Sequence, residues 1–110
     1  MRLGNYPCHI ASGTLAERVY CKNTIADTCV VYERHRHRFE FNRAYREPME
    51  KAGFLVSATS PDGMLAEIVE IVGHPYMIGT QAHPEFNSRP TRPHPLFAGL
   101  IDAIIEQGKV

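Results

Sequence analysis

Three short apolar runs between Phe54 and Gln81 set the strongest limit on how this chain can fold. Phe54 to Thr59 carries a strand signal and runs into Ser60-Pro61-Asp62-Gly63, a sequence made for a turn. Leu65 to Val72 alternates in part, with Leu65, Glu67, Val69 and Ile71 facing one way and Ala66, Ile68, Glu70 and Val72 the other. Tyr76 to Gln81 is a mostly apolar run bounded by Gly73-His74-Pro75 and His83-Pro84, and reads as a short buried strand. Strands this close in sequence form a sheet, and a sheet needs another layer to cover it.

The flanking segments supply some of that cover. Leu96 to Gln107 is an amphipathic helix, apolar at Leu96, Phe97, Leu100, Ile101, Ile104 and Ile105. Asn87 to Pro95, with three prolines, is a loop. Val30 to Asn42 is extended, with Val30, Val31, Phe39 and Phe41 as β-formers. Asn42 can cap a helix from Arg43 to Ala52 that closes at Gly53. Pro48 sits awkwardly inside that helix and predicts a kink or a late start. Residues 1–30 offer only short apolar pieces, Gly4, Pro7 and Gly13, and one helical turn at Thr14 to Tyr20. The elements make an α/β or α+β unit whose opening segment does not obviously provide the missing layer.

At 110 residues the chain is one small domain at most. Twelve basic and twelve acidic residues cancel, so no net field steers it toward nucleic acid or anionic lipid. No apolar run reaches the roughly 18 residues of a membrane span, and MRLGNYPCHI has no signal-peptide core. Cys8, Cys21 and Cys29 are odd in number and form no CxxC pair, which fits reduced thiols in a cytosol.

His83-Pro84-Glu85 is the densest chemical signal. In extended backbone, residues i and i+2 point the same way, and Pro84 pushes His83 toward β or polyproline conformations. The two side chains then meet at a strand end. A carboxylate on Nδ1 leaves Nε2 as a base and stabilises the imidazolium that forms later. The plain alternative is a polar turn. A second constellation is Glu33-Arg34-His35-Arg36-His37-Arg38-Phe39-Glu40-Phe41-Asn42. In a strand, Arg34, Arg36 and Arg38 share one face and His35 and His37 the other. The arginines suit a carboxylate or phosphate, or simply a solvated charged strand. Two histidines at i, i+2 can hold a metal, but no neighbouring cysteine or acidic cluster completes a set, so none is expected.

A base needs a nucleophile, and the three cysteines fit poorly. A reactive thiol needs a lowered pKa and, in α/β enzymes, a tight glycine-flanked strand-to-helix turn. None has that turn; Cys8 beside His9 is the least unsuitable.

Gln81-Ala82-His83-Pro84-Glu85-Phe86 resembles the closing motif of class I (triad) glutamine amidotransferases. Met1-Arg2-Leu3-Gly4, the run from Val31 to Asn42, His83 to Pro90 and His94-Pro95-Leu96-Phe97 narrow the resemblance to the CTP synthase family. It spans essentially all of residues 1–110 and matches the C-terminal part of that family's glutaminase domain. The resemblance implies an incomplete flavodoxin-like, three-layer α/β fold. It makes His83 the general base and acid of a Cys-His-Glu triad, Glu85 its orienting carboxylate, and Arg38 a contact to L-glutamine. It further implies a parent that aminates UTP to CTP at the expense of ATP, with ammonia channelled from glutamine to an N-terminal synthetase domain. That domain binds ATP, UTP and magnesium and forms tetramers, so no cofactor is expected in this segment. The family's nucleophile sits on an elbow upstream of Met1-Arg2-Leu3-Gly4, so this segment is expected to be inactive alone, while the cysteine usage carries the expectation of a cytoplasmic protein. Two other readings stand beside it. One is a stand-alone remnant acting as a binding or regulatory module. The other is a small metal protein using His35, His37, His83 or His94.

Overall fold

The computed structural model describes residues 2–21, 29–37 and 40–108. Five strands form one sheet in the order β2-β1-β3-β4-β5, and every pairing is antiparallel. β1 is Arg2–Ile10, β2 is Cys29–His37, β3 is Phe54–Thr59, β4 is Ala66–Ile71 and β5 is Ile78–Thr80. The helices are α1 at Leu15–Tyr20, α2 at Arg46–Lys51 and α3 at Pro95–Gln107.

β1 is the element that the sequence signals missed. It pairs along its whole length with β2, from Arg2 opposite His37 to Ile10 opposite Cys29. Gly4, at φ +108°, lies opposite His35, and Pro7 lies opposite Tyr32. The helical turn after it forms as expected. Thr14 caps α1 by accepting from the Glu17 amide, and Glu17 reaches back to the Gly13 amide.

The segment after β2 shortens the helix expected from Arg43 to Ala52 and shows the late start that Pro48 predicts. A single 3-10 turn, Arg43–Tyr45, precedes α2, which starts only at Arg46 and so places Pro48 in the first turn, where its missing N–H is harmless. The Asn42 side chain caps the 3-10 turn, accepting from Ala44 N at 3.0 Å. Gly53, at φ +97°, closes the helix. β3, the Ser60–Gly63 turn and β4 follow as expected, the turn closed by Gly63 N donating to Ser60 O at 2.8 Å. β5 is shorter than the expected Tyr76–Gln81 strand, and as an edge strand it is not buried.

The expectation of three reduced thiols is also corrected. Cys21 and Cys29 pair with each other as a disulfide, their Cα atoms 6.3 Å apart, a fit to the usual span for such a bond. Residues 22–28 between them lie outside the described residues.

The core is small. It collects Cys8, Ile10, Ala16, Cys21, Cys29, Ala58 and Ile68, and most of these side chains are short. α3 buries only Leu96, while Phe97, Leu100, Ile101, Ile104 and Ile105 remain exposed. The apolar stripe read from the sequence is present but uncovered by the described residues. α3 docks on α1 at Gly99, where an added Cβ would fall 2.6 Å from Val19 Cγ1.

Because Ile68 is 1% exposed and Ile104 58% exposed, the two respond differently to truncation. Ile68→Ala is expected to lower unfolding free energy by about 2–5 kcal/mol, and Ile104→Ser to change it by no more than about 0.5 kcal/mol. Urea unfolding of the two variants measures the difference.

Candidate functional site

The site is built where the two edges of the sheet come together. After β5, the Gln81 amide donates to Glu67 O on β4 at 3.1 Å, and the Gln81 side chain donates to Ala66 O at 2.6 Å. One residue later the chain crosses to the opposite edge: Ala82 forms an antiparallel bridge with His35 of β2. The His83 amide then donates to Arg34 O at 2.8 Å. Residues 81–83 thus tie β4 to β2 and hold the sheet in a curl. His83 leaves this seam with its backbone already anchored.

Pro84 opens a 3-10 turn, Pro84–Asn87, with His83 as its cap residue. This corrects the extended geometry expected for His83-Pro84-Glu85. The fixed φ of proline suits the first position of a helical turn, where no N–H is required. The turn still brings the side chains together: His83 Nδ1 lies 2.6 Å from Glu85 Oε1. Since an ionised carboxylate only accepts, Nδ1 carries the proton and the neutral ring keeps its lone pair at Nε2. Glu85 is exposed, and its carboxyl is held below the usual glutamate range, first by its own backbone amide and then by the His83 ring. Phe86 stacks on the His83 ring with centroids 5.1 Å apart, and the Arg34 guanidinium lies 5.8 Å from the Phe86 centroid. The arrangement can take a proton at Nε2, stabilise the resulting imidazolium, and give the proton back.

β2 alternates as its sequence predicts. Glu33 and His35 are buried, and Arg34 and Arg36 are exposed. Arg38 lies outside the described residues. Each inward side chain meets a different element. Glu33 accepts from His94 Nε2 at 2.9 and 3.0 Å, while His94 Nδ1 accepts the Leu96 amide and caps α3. With one nitrogen accepting and the other donating, His94 is neutral and both ring nitrogens are used, so it is not the metal ligand considered above. Burial, then the Glu33 carboxylate, pushes the nearby Tyr20 phenol well above its ordinary value. His35 faces Glu67 on β4, and His37 faces Glu40 at 3.5 Å.

The cysteines do not supply a nucleophile to His83. Cys8 is buried and its thiol donates to Glu67 Oε2 at 3.2 Å, while Cys21 and Cys29 are taken up by each other. Among the described residues, one set of His, Cys, Asp and Glu atoms has metal-ligand proximity: Cys8, His35 and Glu67. Its mixed sulfur, nitrogen and oxygen donors do not suit magnesium, which takes oxygen ligands in an octahedron.

The sequence reading missed two contributors to the site. One is the Arg34 carbonyl, a backbone group that no residue identity reveals. The other is Phe86, whose place against His83 follows from the 3-10 turn.

The chain belongs to the class-I glutamine amidotransferases: the model of the family described as "Glutamine amidotransferase class-I" matches residues 1–103. Within that class its similarity is to CTP synthases. It is 57% identical to the CTP synthase of Rubrobacter xylanophilus over all of this chain and 20% of that protein. It is 61% identical to that of a Synechococcus strain over 94% of this chain and 18% of that protein. The chain therefore spans about a fifth of the length of these relatives. A solved structure, the Trypanosoma brucei CTPS glutaminase domain with bound acivicin, superposes with a TM-score of 0.84 at 32% identity. It covers 96% of this chain and 40% of that one. The α/β fold is accordingly that of part of a class-I amidotransferase domain.

The lowered Glu85 pKa has a measurable sign. The ionised carboxylate, and with it the His83 contact, is present above the ordinary glutamate range and is lost as pH falls through the lowered value. Carboxyl-carbon NMR titration is expected to place the Glu85 midpoint below that of an ordinary glutamate. His83→Ala should raise that midpoint without abolishing the depression, because the larger cause, the hydrogen bond from the backbone amide of Glu85, remains.

Proposed function

We propose that this chain carries the proton-transfer part of a glutaminase site. The observation that carries the reading is the 2.6 Å pairing of His83 Nδ1 with Glu85 Oε1, on a segment similar to CTP synthases. In this reading a cysteine thiol outside this sequence gives its proton to His83 Nε2 and attacks the side-chain amide carbon of L-glutamine. His83 returns the proton to the departing ammonia, leaving a thioester that water hydrolyses with His83 again as base. Glu85 holds the ring in the required tautomer and stabilises the imidazolium. Arg38 contacts glutamine through its guanidinium, a role resting on the sequence motif. The proposed nucleophile lies on a glycine-flanked strand-to-helix turn in the remainder of the glutaminase domain.

The released ammonia aminates UTP to CTP in a synthetase domain that binds ATP and magnesium, within a cytoplasmic homotetramer. These ligands and partners belong to the longer enzyme, and no nucleic acid or membrane takes part. Among the described residues no helix is long and apolar enough to cross a membrane.

Two assays test it. The 110-residue chain alone is expected to release no ammonia from glutamine above buffer. In a protein that joins this chain to the nucleophile-bearing segment and the synthetase domain, His83→Ala should lower glutamine-dependent CTP formation by about 10²-fold or more. Supplied ammonium should bypass the lesion, because it replaces the product of the impaired step. Turnover of glutamine by the isolated chain, lost on His83→Ala, would contradict the proposal.

A further inference from the structure

Three buried side chains from three strands converge inside the curl of the sheet. Cys8 comes from β1, His35 from β2 and Glu67 from β4, and they are 1%, 2% and 1% exposed. One ligand-type atom from each lies within 4.8 Å of the other two. The closest approaches are His35 Nε2 to Glu67 Oε2 at 2.9 Å and Cys8 Sγ to the same oxygen at 3.2 Å.

The protonation of His35 is set from its other side. Its Nδ1 lies 3.0 Å from the Glu33 carbonyl oxygen, which only accepts, so Nδ1 carries a proton. In the neutral ring Nε2 then presents a lone pair to the cluster. The contact from Nε2 to Glu67 lacks the direction of a hydrogen bond, and among the described residues Nε2 has no other hydrogen-bond partner. An imidazole tied by Nδ1 to a backbone carbonyl, with Nε2 facing a thiol and a carboxylate, is the arrangement of a metal-binding histidine with its outer support in place.

The geometry points to a metal site at Cys8, His35 and Glu67 for a zinc-class divalent ion. Ordinary bond lengths to zinc put tetrahedral ligands roughly 3.3–3.7 Å apart, so the two short separations need to open by only a few tenths of an ångström. A thiolate and a carboxylate neutralise the charge of the ion, which removes the cost of burying either alone. Glu67 also borders a cleft of about 370 Å³ between Phe41, Phe54 and Gln81. The site is separate from His83 and Glu85 and does not depend on the glutaminase reading.

Cobalt(II) titration of the metal-stripped chain tests the assignment directly. The expected result is one equivalent bound, with tetrahedral visible bands, a thiolate-to-cobalt charge-transfer band in the near ultraviolet, and displacement by one equivalent of zinc. Cys8→Ala should remove the charge-transfer band and weaken zinc binding by more than about 100-fold, beyond the loss typical of an outer-shell change. The wild-type spectrum decides by itself should that variant fail to fold. No stoichiometric binding, or binding without the thiolate band, would overturn the site and leave the three side chains as a hydrogen-bonded core cluster.

Discussion

Three glutamates, Glu33, Glu67 and Glu70, are buried in a sheet of only five strands, and the fold is arranged around giving each a partner. A buried carboxylate without compensation is penalised by several kcal/mol, a large fraction of what a domain of this size has in reserve. Glu70 accepts the Leu15 and Ala16 amides and so fixes the N-terminus of α1 on β4. Glu33 takes His94 and fixes the start of α3. Glu67 takes Cys8 and faces His35, joining β4 to β1 and β2. Each pairing connects elements that the small apolar core alone would hold weakly.

The same constraint positions the candidate site. The inward row of β2 is occupied by Glu33 and His35, so polar contacts to His94 and Glu67 reinforce the strand's register against β1. A slip of one residue would turn Arg34 and Arg36 inward and take Glu33 and His35 away from His94 and Glu67. With that register held, the Arg34 carbonyl faces the chain leaving β5 and receives the His83 amide. The 3-10 turn at Pro84 then completes the pairing with Glu85. The site is a local motif mounted on a seam that distant residues hold in place.

Much of this was legible in the residues. The β3–turn–β4 unit, the amphipathic helix and the His83–Glu85 pair follow from spacing and turn chemistry, and the alternation of β2 follows from its charges. β1 was not legible, because Gly4 and Pro7 interrupt any strand pattern and its polar residues do not alternate cleanly. Nor were the partners of Glu67: Cys8 lies 59 residues away, and only the sheet register brings the two together. The Cys21–Cys29 pairing was hidden for a similar reason, since no CxxC spacing announces it. The His83–Glu85 contact was anticipated through an extended backbone, whereas proline produced it through a 3-10 turn.

β2 clamps the segment bearing His83 through the Ala82–His35 bridge and, next to it, the 2.8 Å donation from His83 N to Arg34 O. Amide hydrogen exchange at His83 measures that bond directly. Protection close to that of the β1–β2 amides is predicted. Exchange at His83 as fast as in an unstructured peptide, with β1 and β2 still protected, would contradict it.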